Sequence, residues 1–147
     1  MNATAMKSAI FQTNHSFSTL LIRLMVGTVF LSEGIQKFLF AAERGAGRFE
    51  KVGLPSPEFL GSFVGSFEII CGLLILLGFL TRLAAVPLII IMIVAFFTTK
   101  LPTLMEKGFW EFAHASRTDW AMFLGSIYLV IKGGGKWSVD RRISGGL

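Results

Sequence analysis

The chain has 147 residues, of which 53% are hydrophobic and only 16% charged, and its mean hydropathy is +0.67. Such a composition excludes an ordinary soluble domain of this length and points to an integral membrane protein. The net charge of +5 is carried by residues flanking apolar runs rather than by one basic face, so no nucleic-acid partner is expected.

In chain order, apolar runs cover residues 17–40, 59–80, 83–99 and about 118–131. A membrane-crossing helix needs about 20 such residues, so the first two are comfortable, the third is just long enough and the fourth is short. A cleavable leader is the competing reading of the first run, because Lys7 precedes it. The run is too long for a leader's apolar region, contains Arg23, and is followed by Ala41-Ala42-Glu43-Arg44 rather than a small-residue cleavage site. It is therefore read as a helix. Backbone amides in hydrocarbon must be satisfied internally, which leaves helices or a closed barrel. Residues 71–80 and 86–97 lack the alternation of a barrel strand. The expected fold is all-α: a single-domain polytopic membrane protein, a four-transmembrane-helix bundle with helices at about 17–40, 59–80, 83–99 and 116–132.

The connections carry their own signals. Thr81-Arg82 is short enough to make the second and third helices a tight antiparallel hairpin. The segment 41–58 holds a short amphipathic piece ending at Pro55, then Ser56-Pro57-Glu58 reads as a helix start with a serine cap and proline at the first position. The segment 100–117 mixes Phe109, Trp110 and Phe112 with charges, so it is expected along the bilayer surface as a partial lid. Both loops read more readily as interfacial anchors without chemistry, since such aromatic and charged belts are routine. Ser116 and Asp119 have capping-box spacing and would open the fourth helix. An even number of spans puts both termini on one side, with Lys7, Arg82, Lys132, Lys136, Arg141 and Arg142. The basic count ties with the opposite side. The position of these residues at helix ends favours cytoplasmic termini in a bacterial inner membrane, where the Asn2-Ala3-Thr4 and Asn14-His15-Ser16 sequons would be without meaning.

Ionisable groups inside apolar runs are costly and are the first place to look for function. At 100° per residue, Arg23, Gly27, Phe30, Gly34 and Lys37 share one stripe of the first helix, with Glu33 at its edge. On the second, Gly61, Gly65, Glu68 and Gly72 share a stripe, with Cys71 beside it. Gly61 and Gly65 make a small-xxx-small pair, so the two stripes should meet. Glu33 and Lys37 stand in the favourable i, i+4 order for an ion pair, and Lys37 is also placed to snorkel outwards or reach down to a carboxylate. Two carboxylates facing one small polar cavity would suit a proton carrier or a donor to a quinone headgroup. The alternative stays open on these residues: Glu33, Glu68, Lys37 and Arg23 pair internally and only fix how the bundle assembles.

Other candidates are weaker. Cys71 is the one cysteine, which rules out an internal disulfide and reads as a small core residue. His15 and His114 have no second ligand at metal spacing and neither lies in a span, so no metal or haem site is predicted. No P-loop, dinucleotide fingerprint or nucleophile elbow is present.

Residues 23–38, with Glu33, Gly34 and Lys37, resemble the opening helix of the DoxX family of small bacterial membrane proteins. Residues 67–82, with Glu68, Gly72 and Arg82, are similar to its second helix, and Trp137-Ser138-Val139-Asp140 to its closing motif. The resemblance runs from about Arg23 to Arg142 and implies a four-helix membrane bundle. The positions matching the family pattern are Gly34, Lys37, Glu68, Gly72, Arg82 and Asp140. Where many relatives place a histidine at the end of the third helix, this chain has Thr98-Thr99-Lys100, and residues 114–119 offer a substitute.

Some members of the family are associated with quinone-linked oxidoreductases. The expected function is accordingly a small redox component with a polar intramembrane pocket. Glu68 would handle protons, Lys37 would be its electrostatic partner and Glu33 the second carboxylate, while Gly34, Gly72 and Arg82 would serve a bound quinone. Whether the protein is itself an enzyme stays open. The rival is a non-enzymatic scaffold or assembly subunit, and a small-molecule or proton transporter is a third reading. The expected partners are the lipid bilayer and either other proteins in a membrane complex or further copies of the chain.

Overall fold

The computed structural model describes residues 9–145, and these contain helices and no strand. Lys7 and the Asn2 sequon lie outside the described residues. In chain order the helices are α1 (Thr19–Leu39), α2 (Ala46–Lys51), α3 (Pro57–Leu77), α4 (Thr81–Ala95), α5 (Leu101–Lys107), α6 (Phe109–Lys132) and α7 (Val139–Ser144). A π-helical turn, Phe96–Lys100, joins α4 to α5 without a break. Three helical stretches are long and apolar enough to cross a membrane: Thr19–Leu39, Pro57–Leu77 and Thr81–Lys107. The fourth long helix, α6, has 24 residues, but Glu111, Arg117 and Asp119 make its first half polar.

The helices α1 and α3 pack with their main chains in contact, and glycine permits it. A Cβ on Gly72 would stand 2.9 Å from the Leu31 amide nitrogen, and one on Gly34 would stand 2.7 Å from the Gly65 carbonyl oxygen. No larger residue fits at either place. The stripes read from the sequence are the buried ones: Arg23, Gly27, Phe30 and Gly34 on α1, and Gly61, Gly65, Glu68, Cys71 and Gly72 on α3. Around them Val26, Ile75, Ala85, Leu88, Met122 and Leu129 form a core shared by all four long helices. Large apolar side chains such as Leu21, Ile70, Leu77, Ile90 and Leu124 point outwards. In water so much exposed apolar surface would be a liability, and in a bilayer it is the lipid contact.

One end of the bundle is closed by two buried charges. The helix α3 ends at Gly78, whose φ of 68° lets its N–H reach the Ile75 carbonyl at 3.0 Å and the Phe79 N–H reach Leu74 at 2.9 Å, a Schellman ending. Leu80 also adopts a left-handed φ of 50°, a costly conformation for a leucine. Asp140 holds it there. Its carboxylate accepts from the Leu80 and Thr81 amides at 2.7 and 2.9 Å, and its own N–H donates to the Gly78 carbonyl at 2.9 Å. Beside it Arg23, 2% exposed, donates to the carbonyls of Ile75, Leu76, Gly134 and Trp137. Two of these acceptors, Ile75 and Leu76, belong to the last turn of α3, where carbonyls lack the usual partner four residues on.

Several boundaries differ from the sequence reading. The α3–α4 hairpin turns at residues 78–80 rather than at Thr81-Arg82, because Gly78 takes the left-handed position. Ser56 precedes Pro57 as expected, but at φ 47° its side chain makes no cap bond. Most of the segment 100–117, expected on the bilayer surface, is helix, broken only at Gly108 with φ 84°. Nothing between Phe109 and Ser116 interrupts a helix, so α6 starts seven residues before the proposed cap, and Ser116 lies buried inside it. Phe112 faces inwards against Phe96, while Trp110 is 83% exposed.

Gly72→Leu is expected to push α1 and α3 apart at a cost of about 1–3 kcal/mol, the usual range for overpacking. A lowered thermal midpoint in detergent, with Ser62→Leu on the exposed face unchanged, would show it. Asp140→Ala leaves two buried amides without acceptors and is expected to cost about 1–3 kcal/mol per unpaired group in the same measurement.

Candidate functional site

At the other end of the α1–α3 contact the chain brings its intramembrane charges together. Glu68 is eleven residues into α3, about 16 Å along a helix rising 1.5 Å per residue. Lys37 is in the last turn of α1. Its Nζ donates to Glu68 Oε2 at 2.6 Å, with the two side chains 12% and 4% exposed. The intrahelical Glu33–Lys37 pair suggested by their spacing does not form. An isolated buried carboxylate costs more than a half-exposed one, so Lys37 serves Glu68. Glu33 remains half-buried on the same cavity, with no hydrogen-bond partner among the described residues.

The cavity has a volume of about 510 Å³ and is lined from α1, α3, α4 with its π turn, α6 and the α1–α3 connection. Phe30, Phe63, Val64, Ile91 and Met92 supply apolar wall, and Glu33, Lys37 and Glu68 form one polar side. From the π turn and α6 the same cavity is lined by a second ion pair, Lys100 Nζ to Asp119 Oδ2 at 2.9 Å, in which Lys100 also donates to the Ala115 carbonyl. Thr98 and Thr99 line the same wall. Their hydroxyls donate to Val94 and Ala95 carbonyls, so towards the cavity they offer only acceptor lone pairs. Arg44 and Arg48 sit at the rim, and Arg44 lies over the Phe40 ring. Size and mixed lining are those of a small-molecule site.

Of the residues singled out from the sequence, Glu33, Lys37 and Glu68 are brought together. Gly34 and Gly72 do not line this cavity: they are consumed in the contact between α1 and α3. Arg82 is at the opposite end of the bundle, where its Nη2 donates to the Ile131 carbonyl at 3.0 Å. The segment 114–119 contributes through Asp119, while His114 is exposed. The sequence reading missed Lys100 paired with Asp119, and the rim arginines. The available signal was one charged residue at the inner edge of each of the last two apolar runs. Among the described residues no three His, Cys, Asp or Glu side chains converge as metal ligands.

Lys37→Met leaves Glu68 buried without its cation and is expected to cost about 3–5 kcal/mol, the range for breaking one side of a buried pair. The double variant Lys37→Met/Glu68→Gln should recover much of that loss in thermal unfolding. Equal losses in the single and double variants would mean that the pair is not coupled.

The sequence pattern of DoxX matches residues 18–101, more than half of the chain. A protein of Mycobacterium tuberculosis, named as an uncharacterized membrane protein, is 53% identical over 133 residues, covering 86% of this chain and 82% of its own. A Bacillus subtilis protein named as a candidate oxidoreductase, CatD, is 32% identical over 122 residues, covering 82% of this chain and 84% of its own. No solved structure matches. The matched stretch holds Lys37, Glu68 and the glycines that bring them together, and the chain belongs to the DoxX family of membrane proteins.

Proposed function

We propose that this protein is a small inner-membrane component of quinone-linked oxidoreductase chemistry, and that the large cavity receives a quinone headgroup. The observation that carries this reading is the juxtaposition of two lysine–carboxylate pairs across a cavity otherwise walled by apolar side chains. A quinone head is a flat apolar ring with an acceptor oxygen on each of two opposite edges. Lys37 on α1 and Lys100 on the π turn are donors from different elements of the lining, and Phe30 and Phe63 add aromatic surface to it, so the residues present fit the group. When bound, a quinone supplies the capacity to take up two electrons and two protons.

The chain's own side chains bind, orient and move protons. Lys37 holds a proton between Nζ and Glu68 Oε2 at the cavity wall, and Glu33, half-exposed and without a partner among the described residues, relays between that pair and the rim. Phe30 and Phe63 would lie against a bound ring and exclude water from it. Lysine, glutamate and phenylalanine side chains transfer protons or shape the pocket but are not redox carriers, so the reading includes a partner protein that delivers electrons. The name of the Bacillus subtilis relative supports an oxidoreductase setting.

The same proposal takes α6 as a fourth crossing. Supporting it, segments from both ends of the chain hydrogen-bond to each other at one end of the bundle: Asn14 N–H to the Lys132 carbonyl at 3.0 Å and Lys136 N–H to Ser16 at 3.3 Å. Chain ends on one side require an even number of crossings. That end also carries Arg82, Lys132, Lys136, Arg141 and Arg142, which favours the cytoplasmic side.

A non-enzymatic assembly subunit is the second reading, favoured by the exposed Met105, Phe109 and Trp110 around the α5–α6 joint. The two readings separate on protein released from native membrane. Mass spectrometry is expected to show bound quinone, and added quinone to raise the thermal midpoint of the wild type but not of Glu68→Gln. Stable protein partners with no quinone, and no quinone-dependent stabilisation, would select the scaffold.

A further inference from the structure

A second cavity of about 180 Å³ lies between α6 and α4 with its π turn. Its walls are largely aromatic, with Phe96, Phe97, Trp120 and Phe123, and its polar end is the Lys100–Asp119 pair with Ser116. Lys100, Asp119 and Met92 line both cavities, so little more than one ion pair and one flexible side chain divides them. Ile93, Phe97 and Trp120 are exposed on the apolar exterior, so the smaller cavity opens sideways to the acyl chains. Its volume is close to that of a roughly 150 Å³ engineered cavity that takes one benzene, enough for the first branched units of a tail and too small for a head and tail together. Ser116, 2% exposed, lines this groove with a hydroxyl that has no partner among the described residues. A buried hydroxyl left unpaired is costly, and a ligand oxygen beside Lys100 would satisfy it.

Resting on the headgroup reading above, we propose that this groove holds the beginning of the ligand's apolar tail and admits the ligand laterally from the bilayer. The Lys100–Asp119 pair is the threshold between tail groove and head cavity. At 14% and 33% exposure it is more open than Lys37–Glu68, so parting it costs less. Ser116 binds an oxygen at the junction of head and tail. The ligand class follows: an amphiphile with a ring-sized polar head and a branched or unsaturated tail, selected by its tail as well as its head.

The test uses the full chain in lipid nanodiscs with two probes, menadione, which has the ring without a tail, and a menaquinone with a short isoprenoid tail. Affinities are read from quenching of tryptophan fluorescence. Ile93→Trp narrows the groove's mouth from the lipid face, and the smaller Ile93→Phe serves if that variant does not fold. The expected result is a loss of about tenfold or more for the tailed probe, since each buried methylene contributes about 0.8 kcal/mol, with menadione unchanged. If both probes bind the wild type and the variants leave the tailed probe's affinity intact, or weaken both equally, the groove proposal is overturned while the headgroup reading stands. If neither probe binds the wild type, the headgroup reading falls, and the groove proposal with it.

Discussion

The contact between the main chains of α1 and α3 decides where everything else in this protein can be. Transmembrane helices gain little from apolar burial when they associate, because lipid is as apolar as leucine, so close packing has to supply the attraction. At Gly34 and Gly72 the space for a Cβ is already occupied by the partner helix's backbone. That closeness lets a lysine in the last turn of α1 reach a glutamate three turns inside α3. With the helices held further apart, Glu68 would be a lone charge in hydrocarbon, which neither folding nor function tolerates well.

The two ends of the bundle use buried charge for opposite purposes. At the closed end, Arg23 makes four hydrogen bonds to carbonyls, and Asp140 accepts from two amides while holding the hairpin turn. Those groups leave little capacity for a ligand. Their work is to satisfy helix ends and fix the chain's return, and they match the reading of buried charges as assembly devices. At the open end the charges meet across a cavity. Lys37 has one acceptor, Glu33 has no donor among the described residues, and Lys100 shares itself between Asp119 and a carbonyl. Unused hydrogen-bonding capacity facing empty volume distinguishes a candidate site from a structural knot.

The stripes of α1 and α3 were legible in the sequence because glycine spacing and a 3.6-residue period are local signals, and the structure buries those faces. Lys37 had two carboxylates within reach on paper. Burial, which is a tertiary property, chose Glu68 over Glu33. Gly34, Gly72 and Arg82 were placed with a ligand although packing and the far helix end use them, since a motif position says that a residue matters without saying how. The pairing of Lys100 with Asp119 joins residues nineteen apart and depends on α6 folding back from Gly108. Capping-box spacing at Ser116 concealed it, because a cap signal inside an uninterrupted helical sequence cannot start a helix that is already running.

The charge balance of the large cavity bears on what it can hold. Four basic side chains line it, Lys37, Arg44, Arg48 and Lys100, against three acidic ones, Glu33, Glu68 and Asp119. Two of the bases are paired with carboxylates, and the two arginines lie at the rim. A cationic ligand would meet this surplus of positive charge at the entrance. A permanently charged anion would gain at the rim but would lose its hydration further in, among phenylalanine and isoleucine side chains. A neutral head with acceptor oxygens avoids both costs, since ammonium groups can donate to it without any net charge being carried into the apolar part of the cavity.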